Sequence, residues 1–403
     1  MNSRFWVSGA ILLVASLAMA DDWTMYQGGI GHTGYVSGSQ DTSKFGLKWQ
    51  RTLNSSFVLD APVTGGGQVY VSEIGYFNSP SLYALNSDTG VTNWTKTYSG
   101  IHSISPPSYD QGHLYFQSMN NASPGTYFYS LDSNTGSLNF KTTFDAQWER
   151  YFSPTILNGK AYVDGGTYGG MISFNNTTGS KLWQNMSLPQ YDEWTPTIVG
   201  NTAYAYLGSY QPGLYAIDIN TGSSLYRIDD GGFSWNGWSM DEVPVSDGQG
   251  GFLATNGGRL VKFNTNTHAI DYAIADNISG QVSVSNGIVY ALRNNGVTAY
   301  EASNGSYLWS WTPDGLESLN TKIVVTDNHL FVGSSTTTYG INLATHLSDY
   351  SYGLSGNYAL TSDTLYIAGT NGRLAAISTV PEPASVFGIL LGIGCWARRR
   401  RRA

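Results

Sequence analysis

A short unit of two strands and a turn recurs along this chain. Its clearest copies are eleven residues long, contain an Asp or Asn shortly before Thr-Gly, and end on a bulky ring, as in residues 84–94 (ALNSDTGVTNW) and 173–183 (SFNNTTGSKLW). Two weaker copies keep the length but carry His268 and His346 where the others have Gly. A unit of this size cannot bury its own apolar face, so the copies must stack on one another.

Each copy belongs to a longer module, and successive modules start 35 to 48 residues apart. That period is typical of a four-stranded propeller blade, and the alternating β-branched and aromatic residues favour strands over helices. We therefore predict an all-β fold, an eight-bladed β-propeller of four-stranded antiparallel blades over residues 21–378. Seven blades is the alternative if one weak module is not a blade. The first five modules begin at Pro62, Pro107, Pro154, Pro196 and Pro244, and the last three at Val282, Ile323 and Tyr358.

The eighth module, residues 358–378, stops before its fourth strand. A strand without a module, residues 45–53 with Trp49, stands near the N-terminus and has the missing ending. Pairing of the two segments would close the ring and remove exposed strand edges. We expect the N-terminal strand to complete the last blade.

The motif residues are predicted to be structural. The acidic and amide side chains can bond the turn backbone, and the glycines can adopt positive φ. The bulky rings should pack between neighbouring blades. The residues assigned to this role are Trp49, Gly90, Trp94, Gly136, Gly179, Trp183, Gly222 and Trp309.

The repeat Leu-Tyr-Ala-Leu-(Asp/Asn)-x-x-Thr-Gly-x-x-x-Trp resembles the PQQ-like β-propeller repeats of quinoprotein alcohol dehydrogenases and of the assembly lipoprotein BamB, over residues 23–378. The resemblance implies the fold but not the function, because this propeller hosts enzymes, scaffolds and binding proteins. The dehydrogenases add a vicinal cysteine pair, an acidic Ca²⁺ ligand with an Asn, and a catalytic Asp. Cys395 is the one cysteine here, and no calcium ligand or base matches by motif. We predict no cofactor; pyrroloquinoline quinone and calcium are possible but unsupported.

The first 20 residues are typical of a signal peptide. Arg4 precedes an apolar run over residues 5–17, and a small-x-small cleavage site ends before Asp21. The apolar run is short for a spanning helix, which needs about 20 residues. We therefore expect the chain to be exported.

The C-terminal residues 379–403 form a tail with three parts. Pro381, Glu382 and Pro383 lead into an apolar segment over residues 384–397, and an arginine cluster begins at Arg398. This order resembles the PEP-CTERM sorting signal of Gram-negative bacteria. The resemblance implies export across the inner membrane, a transient anchor in the C-terminal hydrophobic segment as a transmembrane helix, and processing by an exosortase. The final location would be the periplasm, the cell surface or the extracellular matrix. An ordinary tail anchor shares most of this geometry.

The charge distribution disfavours nucleic acid as a partner. Six of the 20 basic residues lie in the two terminal segments, which leaves 14 against 28 acidic residues. No run of Lys or Arg remains outside the tail, so the electrostatic footprint of a nucleic-acid-binding protein is missing.

Aromatic and acidic residues concentrate in loops at one side of one rim. Rings can stack on the apolar face of a sugar while carboxylates accept bonds from its hydroxyls. The alternatives are a hydrophobic lid over the inner strands or a surface for a protein partner. The segments before modules six to eight are plain by comparison, as in Ser279-Gly280-Gln281. The candidate binding residues are Trp148, Glu149, Tyr191, Asp192, Trp194, Trp235, Trp238 and Asp241.

These observations favour a non-catalytic binding or scaffold protein, with an extracellular polysaccharide or a surface protein as the partner. No zinc spacing, phosphate-binding loop or nucleophile elbow occurs in the sequence. A quinone-dependent oxidoreductase, a glycan-cleaving enzyme that uses a carboxylate pair, and a BamB-like assembly scaffold are the alternatives.

Overall fold

Eight separate antiparallel sheets make up the part of the chain that the structure describes. The structure is a computed structural model. Each sheet is built from one continuous stretch of the chain, except that the last sheet also takes in the first strand. This is the pattern expected for propeller blades, so the prediction of eight blades is confirmed and the seven-bladed alternative is wrong. The described residues are 22–75, 78–119, 125–146, 152–166, 169–189, 194–208, 211–234, 243–315 and 317–379.

The strands are numbered in chain order and grouped by blade. The first strand, β1, is Phe45–Thr52. Blade 1 has β2 (Val58–Leu59), β3 (Val63–Gly65), β4 (Gln68–Ile74), β5 (Ser81–Asn86) and β6 (Thr92–Thr97). Blade 2 has β7 (Ser103–Ile104), β8 (Ser108–Asp110), β9 (His113–Met119), β10 (Thr126–Asp132) and β11 (Leu138–Phe144). Blade 3 has β12 (Thr155–Leu157), β13 (Lys160–Asp164), β14 (Met171–Asn175) and β15 (Lys181–Asn185). Blade 4 has β16 (Thr197–Val199), β17 (Thr202–Leu207), β18 (Gly213–Asp218) and β19 (Ser224–Asp229).

The second half of the ring repeats this arrangement. Blade 5 has β20 (Val245–Ser246), β21 (Gly251–Asn256), β22 (Arg259–Asn264) and β23 (Ala269–Ala275). Blade 6 has β24 (Ile278–Ser285), β25 (Ile288–Arg293), β26 (Gly296–Glu301) and β27 (Tyr307–Trp311). Blade 7 has β28 (Val324–Val325), β29 (His329–Gly333), β30 (Thr338–Asn342) and β31 (Leu347–Tyr352). Blade 8 has β32 (Gly356–Leu360), β33 (Thr364–Gly369) and β34 (Arg373–Thr379).

The innermost strand of blades 1 and 2 is interrupted. In blade 1, β2 and β3 both pair with β4, and Pro62 lies between them. In blade 2, β7 and β8 both pair with β9 across Pro106 and Pro107. Proline has no N–H to donate to the ladder, so pairing breaks at these residues. The strand extends beyond the proline at which the sequence predicted it to begin.

The ring is closed by the N-terminal strand, as predicted. Strand β1 pairs antiparallel with β34, with Trp49 opposite Ala376 and Gln50 opposite Ala375. Trp49 is 5% exposed and lies in a buried cluster that includes residues of blades 1, 7 and 8. The last blade therefore takes its outermost strand from the start of the chain, and its β34 edge is covered.

Glycines in the turns between strands three and four lie against rings of the preceding blade. Gly222 has φ of +75°, and a Cβ added there would lie 2.5 Å from the indole of Trp183. The same indole donates its N–H to the Ile219 carbonyl at 3.0 Å. Gly90 lies against Trp49 and Gly136 against Trp94 in the same way, and Gly179 lies against Phe140. Only a residue without a side chain permits both the positive φ and the close approach.

The two modules with His at this position use a different contact. His268 stacks on Tyr226 with ring centroids 3.8 Å apart, and His346 stacks on Trp309 at 4.6 Å. Both histidines have positive φ, +54° and +58°. In these two modules, a histidine stacked on the aromatic ring of the preceding blade thus replaces the glycine, and the blades remain in register.

A lead-in segment, residues 22–40, runs along the inner strands that surround the central channel. In six of the described blades, a backbone N–H of the innermost strand donates to this segment, five times to a carbonyl and once to the sulfur of Met25, at 2.7–3.3 Å. The contacts follow the order of the blades along the chain, so the segment winds around the axis against the innermost strands. Each donor lies two positions after the proline or its equivalent. The donors are Thr64, Tyr109, Ile156, Ile198, Val284 and Val325.

The two ends of the chain lie outside the described residues. The expected signal peptide, residues 1–20, and the tail beyond Thr379, with Pro381, Glu382, Pro383 and Arg398, belong to this part. Among the residues that are described, no helix has the length and apolar character needed to cross a bilayer.

Candidate functional site

The connections between blades and the loops between strands two and three emerge at one end of the propeller, here called the upper face. Seven of the eight candidate residues lie in inter-blade connections outside the described residues. These seven are Trp148, Glu149, Tyr191, Asp192, Trp235, Trp238 and Asp241.

Trp194 is the one candidate residue that the structure describes. It is 3% exposed and belongs to a buried cluster that also contains Leu188 and Tyr206. A ring in this position has no free face for a sugar. Its burial favours the lid interpretation for this residue.

The connection that carries Trp235 and Trp238 is fixed at both ends. On one side, the N–H of Ser234 donates to Asn256 at 2.7 Å. On the other side, the N–H of Val243 donates to Gln281 at 2.8 Å, and the amide of Gln281 donates back to the Val243 carbonyl at 3.1 Å. The loop therefore starts and ends on the rigid blade framework.

A buried ion pair supports the first of these anchors. The Asp230 side chain is 2% exposed and meets the Arg259 guanidinium at 2.8 Å, while the Tyr206 hydroxyl donates to it at 2.6 Å. Burial alone would raise the pKa of Asp230, but the hydrogen bonds from Arg259, Tyr206 and the Gly232 N–H outweigh it, so the pKa is lowered. Asp230 is therefore a charged structural anchor and not a proton donor.

A cavity of about 410 Å³ opens on the upper face at the mouth of the central channel. Its wall consists of inter-blade connections and strand two–three loops of blades 6, 7 and 8. The loops on this side carry few aromatic or acidic residues, so reasoning from loop aromatics missed the cavity. Lining residues include Gln281, Leu292, Asn320, Lys322, Ser335 and Asn357.

The channel wall differs between the two halves of the ring. We define the wall position as the residue directly before the proline or its equivalent in each module. In blades 1 to 5 it is occupied by small or apolar residues, and in blades 6 to 8 by long polar side chains. The eight residues in order are Ala61, Pro106, Ser153, Thr195, Val243, Gln281, Lys322 and Asn357. This register was the signal in the sequence that would have located the cavity.

Tyr26 of the lead-in segment contacts two of the lining residues. Its hydroxyl donates to Gln281 at 3.2 Å, and the Lys322 ammonium lies 5.5 Å from its ring centroid. The rings of Tyr26 and Phe152 are perpendicular, with centroids 4.5 Å apart, and Tyr26 is 2% exposed. The lead-in segment thus contributes part of the support for the cavity wall.

The described lining does not fit a quinone with its metal ion. Calcium prefers 6–8 oxygen ligands with carboxylates among them, and the lining of the cavity has amides, hydroxyls and one ammonium but no carboxylate. Within the described residues, no group of three or more His, Cys, Asp or Glu residues is placed to hold a metal. The only cysteine, Cys395, cannot form a vicinal pair. No catalytic step through a quinone follows from these residues.

The comparisons with known proteins agree with the fold. The family model described as outer membrane protein assembly factor BamB matches residues 83–229 and 193–351. Among solved structures, a europium-containing methanol dehydrogenase is similar with TM-score 0.68 at 12% identity, over 89% of this chain and 98% of that one. BamB from Moraxella catarrhalis is similar with TM-score 0.64 at 14% identity, over 83% of this chain and 99% of that one. No curated protein matches the sequence.

Proposed function

Since the chain belongs to the family described as outer membrane protein assembly factor BamB, we propose that it is a non-catalytic binding or scaffold protein. We further propose that its ligand is a glycan, bound at the upper face of the propeller. The observation that carries this proposal is the cavity of about 410 Å³ at the channel mouth, with a polar wall. Small-molecule sites are typically about 300–1,000 Å³ in volume and have a few polar groups that fix orientation.

The cellular location is part of the proposal. Residues 1–20 would direct export, and residues 379–403 would be recognised by an exosortase and processed near Pro381. The mature protein would then reside in the periplasm, at the cell surface or in the extracellular matrix. Intact-mass measurement of protein recovered from a Gram-negative host with an exosortase should show loss of both ends. A mature chain that keeps residues 381–403 would contradict the sorting proposal.

A glycan array tests the binding function. The purified protein should bind a defined subset of glycans. Trp238→Ala, in the loop between blades 4 and 5, reports whether that loop contributes to the binding surface. Tyr307→Ala is the matched control, because Tyr307 is an aromatic residue 58% exposed on the outer strand of blade 6. Absence of binding to every glycan would refute the glycan proposal.

An assembly scaffold is the second candidate function, and the family match itself favours it. A scaffold of this kind would bind strands of partner proteins at blade edges or loops. Co-purification after crosslinking in the native host separates the two candidates. A stable outer-membrane protein partner, together with no glycan binding, would favour the scaffold.

A further inference from the structure

We propose that the cavity at the channel mouth recognises a carboxylated saccharide unit, with Lys322 as the partner of the carboxylate. This inference rests on the proposed glycan-binding function and adds the charge of the ligand. It also moves the recognition site from the aromatic loops of blades 3 to 5 to the polar wall of blades 6 to 8.

Lys322 is a half-buried cation without an anionic partner among the described residues. No described carboxylate lies within 4 Å of its ammonium, which lies 5.5 Å from the centroid of the Tyr26 ring. An ammonium has three donors, and partial burial removes some of the water that would otherwise accept them. Bonds from an ammonium to a carboxylate are about twice as strong as neutral hydrogen bonds. An anion is therefore the preferred occupant beside Lys322.

The residues around Lys322 match the hydroxyl groups of a sugar. Within the described part of the chain, the side chains of Asn320 and Ser335 make no hydrogen bond, and both are exposed in the lining. Asn357 uses its amide N–H for the Leu59 carbonyl at 3.2 Å, which holds its side chain in place. These neutral groups can donate to and accept from hydroxyls without a charge penalty. A ligand with one carboxylate and several hydroxyls fits this set.

The acidity of the whole protein does not exclude an acidic ligand. The net charge of −8 opposes the approach of a polyanion at low salt. At physiological ionic strength, charges separated by more than about 8 Å are largely screened. The lining has no described carboxylate, so the contact with Lys322 dominates the local interaction.

The test uses calorimetric titration of the exported protein with three probes: a galacturonic acid trimer, its methyl ester, and a neutral glucose trimer. The acid trimer should bind tighter than its ester. Lys322→Met should weaken binding of the acid about tenfold to hundredfold, because a hydrogen bond to a charged group contributes roughly 1.5–3 kcal/mol. Lys322→Arg should retain most of the affinity. Lys181→Met is the control, since Lys181 is an exposed residue on the outer strand of blade 3.

The outcomes separate this inference from the broader proposal. Equal binding of the acid, the ester and the neutral trimer, unchanged in Lys322→Met, would overturn the role of Lys322 and leave glycan binding intact. Binding of no saccharide on the array or by titration would overturn both. Binding of pyrroloquinoline quinone that depends on Lys322, without saccharide binding, would also overturn the inference. A melting temperature of Lys322→Met equal to wild type verifies the fold, and Asn320→Ala is a second, surface variant that should weaken acid and ester equally.

Discussion

Replacement of Gly222 by Ala should destabilise the propeller through two separable effects. The first is backbone strain, because φ at Gly222 is +75° and a left-handed L-residue costs about 1–2 kcal/mol. The second is a collision, because the new Cβ would lie 2.5 Å from the Trp183 indole of the preceding blade. Forcing an extra group into a packed contact costs about 1–3 kcal/mol. The sum is about 2–5 kcal/mol.

Gly200 provides the matched control in the same blade. Its φ is +59°, and nothing lies within 4 Å of an added Cβ. Gly200→Ala should therefore show only the backbone strain of about 1–2 kcal/mol. Urea unfolding followed by tryptophan fluorescence gives both values as shifts of the midpoint at constant slope.

A double-mutant cycle isolates the collision. With Trp183→Ala as the background, the ring is gone and Gly222→Ala should lose no more stability than Gly200→Ala does in wild type. The two residues should thus couple by about 1–3 kcal/mol. If Gly222→Ala and Gly200→Ala are equally stable, or if Trp183→Ala leaves the loss at Gly222 unchanged, the glycine is not required by the neighbouring ring and the packing argument is refuted.

Three further results are expected. Trp49→Ala should lower the melting temperature, because loss of a buried Trp costs about 3–5 kcal/mol of unfolding free energy. It should also raise light scattering, because β34 becomes an open edge. An unchanged melting temperature would show that closure does not depend on this ring. Burial lowers the pKa of His32 below the usual value of about 6.5 for histidine. The stability that this residue contributes is therefore present above pH 6.5 and lost as the pH falls below it. The drop in urea midpoint from pH 7.5 to 5.5 should shrink in His32→Asn, and an equal drop would contradict this. Pyrroloquinoline quinone with Ca²⁺ should leave absorbance and melting temperature unchanged, and a clear shift in either would favour the oxidoreductase.

The fold could be predicted because each blade is encoded locally. The turn motif and the aromatic endings recur from module to module, and the first five modules also begin at a proline. The unpaired strand with Trp49 matched the one missing position in the ring. Each local preference agrees with the global closure, which is typical of a foldable repeat.

The path of the lead-in segment along the inner strands could not be predicted in the same way. Its partners are backbone N–H groups such as those of Thr64 and Val325, far apart in sequence, and backbone donors leave no pattern in residue identity. The cavity was missed for a related reason. The aromatic loops led to a predicted site in blades 3 to 5. Gln281 and Lys322 are single polar residues, and they indicate a site only when equivalent positions are compared around the ring.

Function in a ring of near-identical blades has to arise where the repetition is broken. Two departures from the repeat lie side by side at the cavity. The lead-in segment contributes Tyr26, and blades 6 and 7 contribute Gln281 and Lys322, which Tyr26 contacts. Tyr26 lies in the segment that precedes the closing strand β1, so we expect opening of the ring to disturb this wall. A ligand that bound the closed form alone, at 100 times its dissociation constant, would stabilise that form by about 2.7 kcal/mol. Ligand binding and ring closure would then be coupled. Thermal stabilisation by an acidic saccharide should be smaller in Trp49→Ala than in wild type, because the apparent dissociation constant rises in inverse proportion to the fraction of closed molecules.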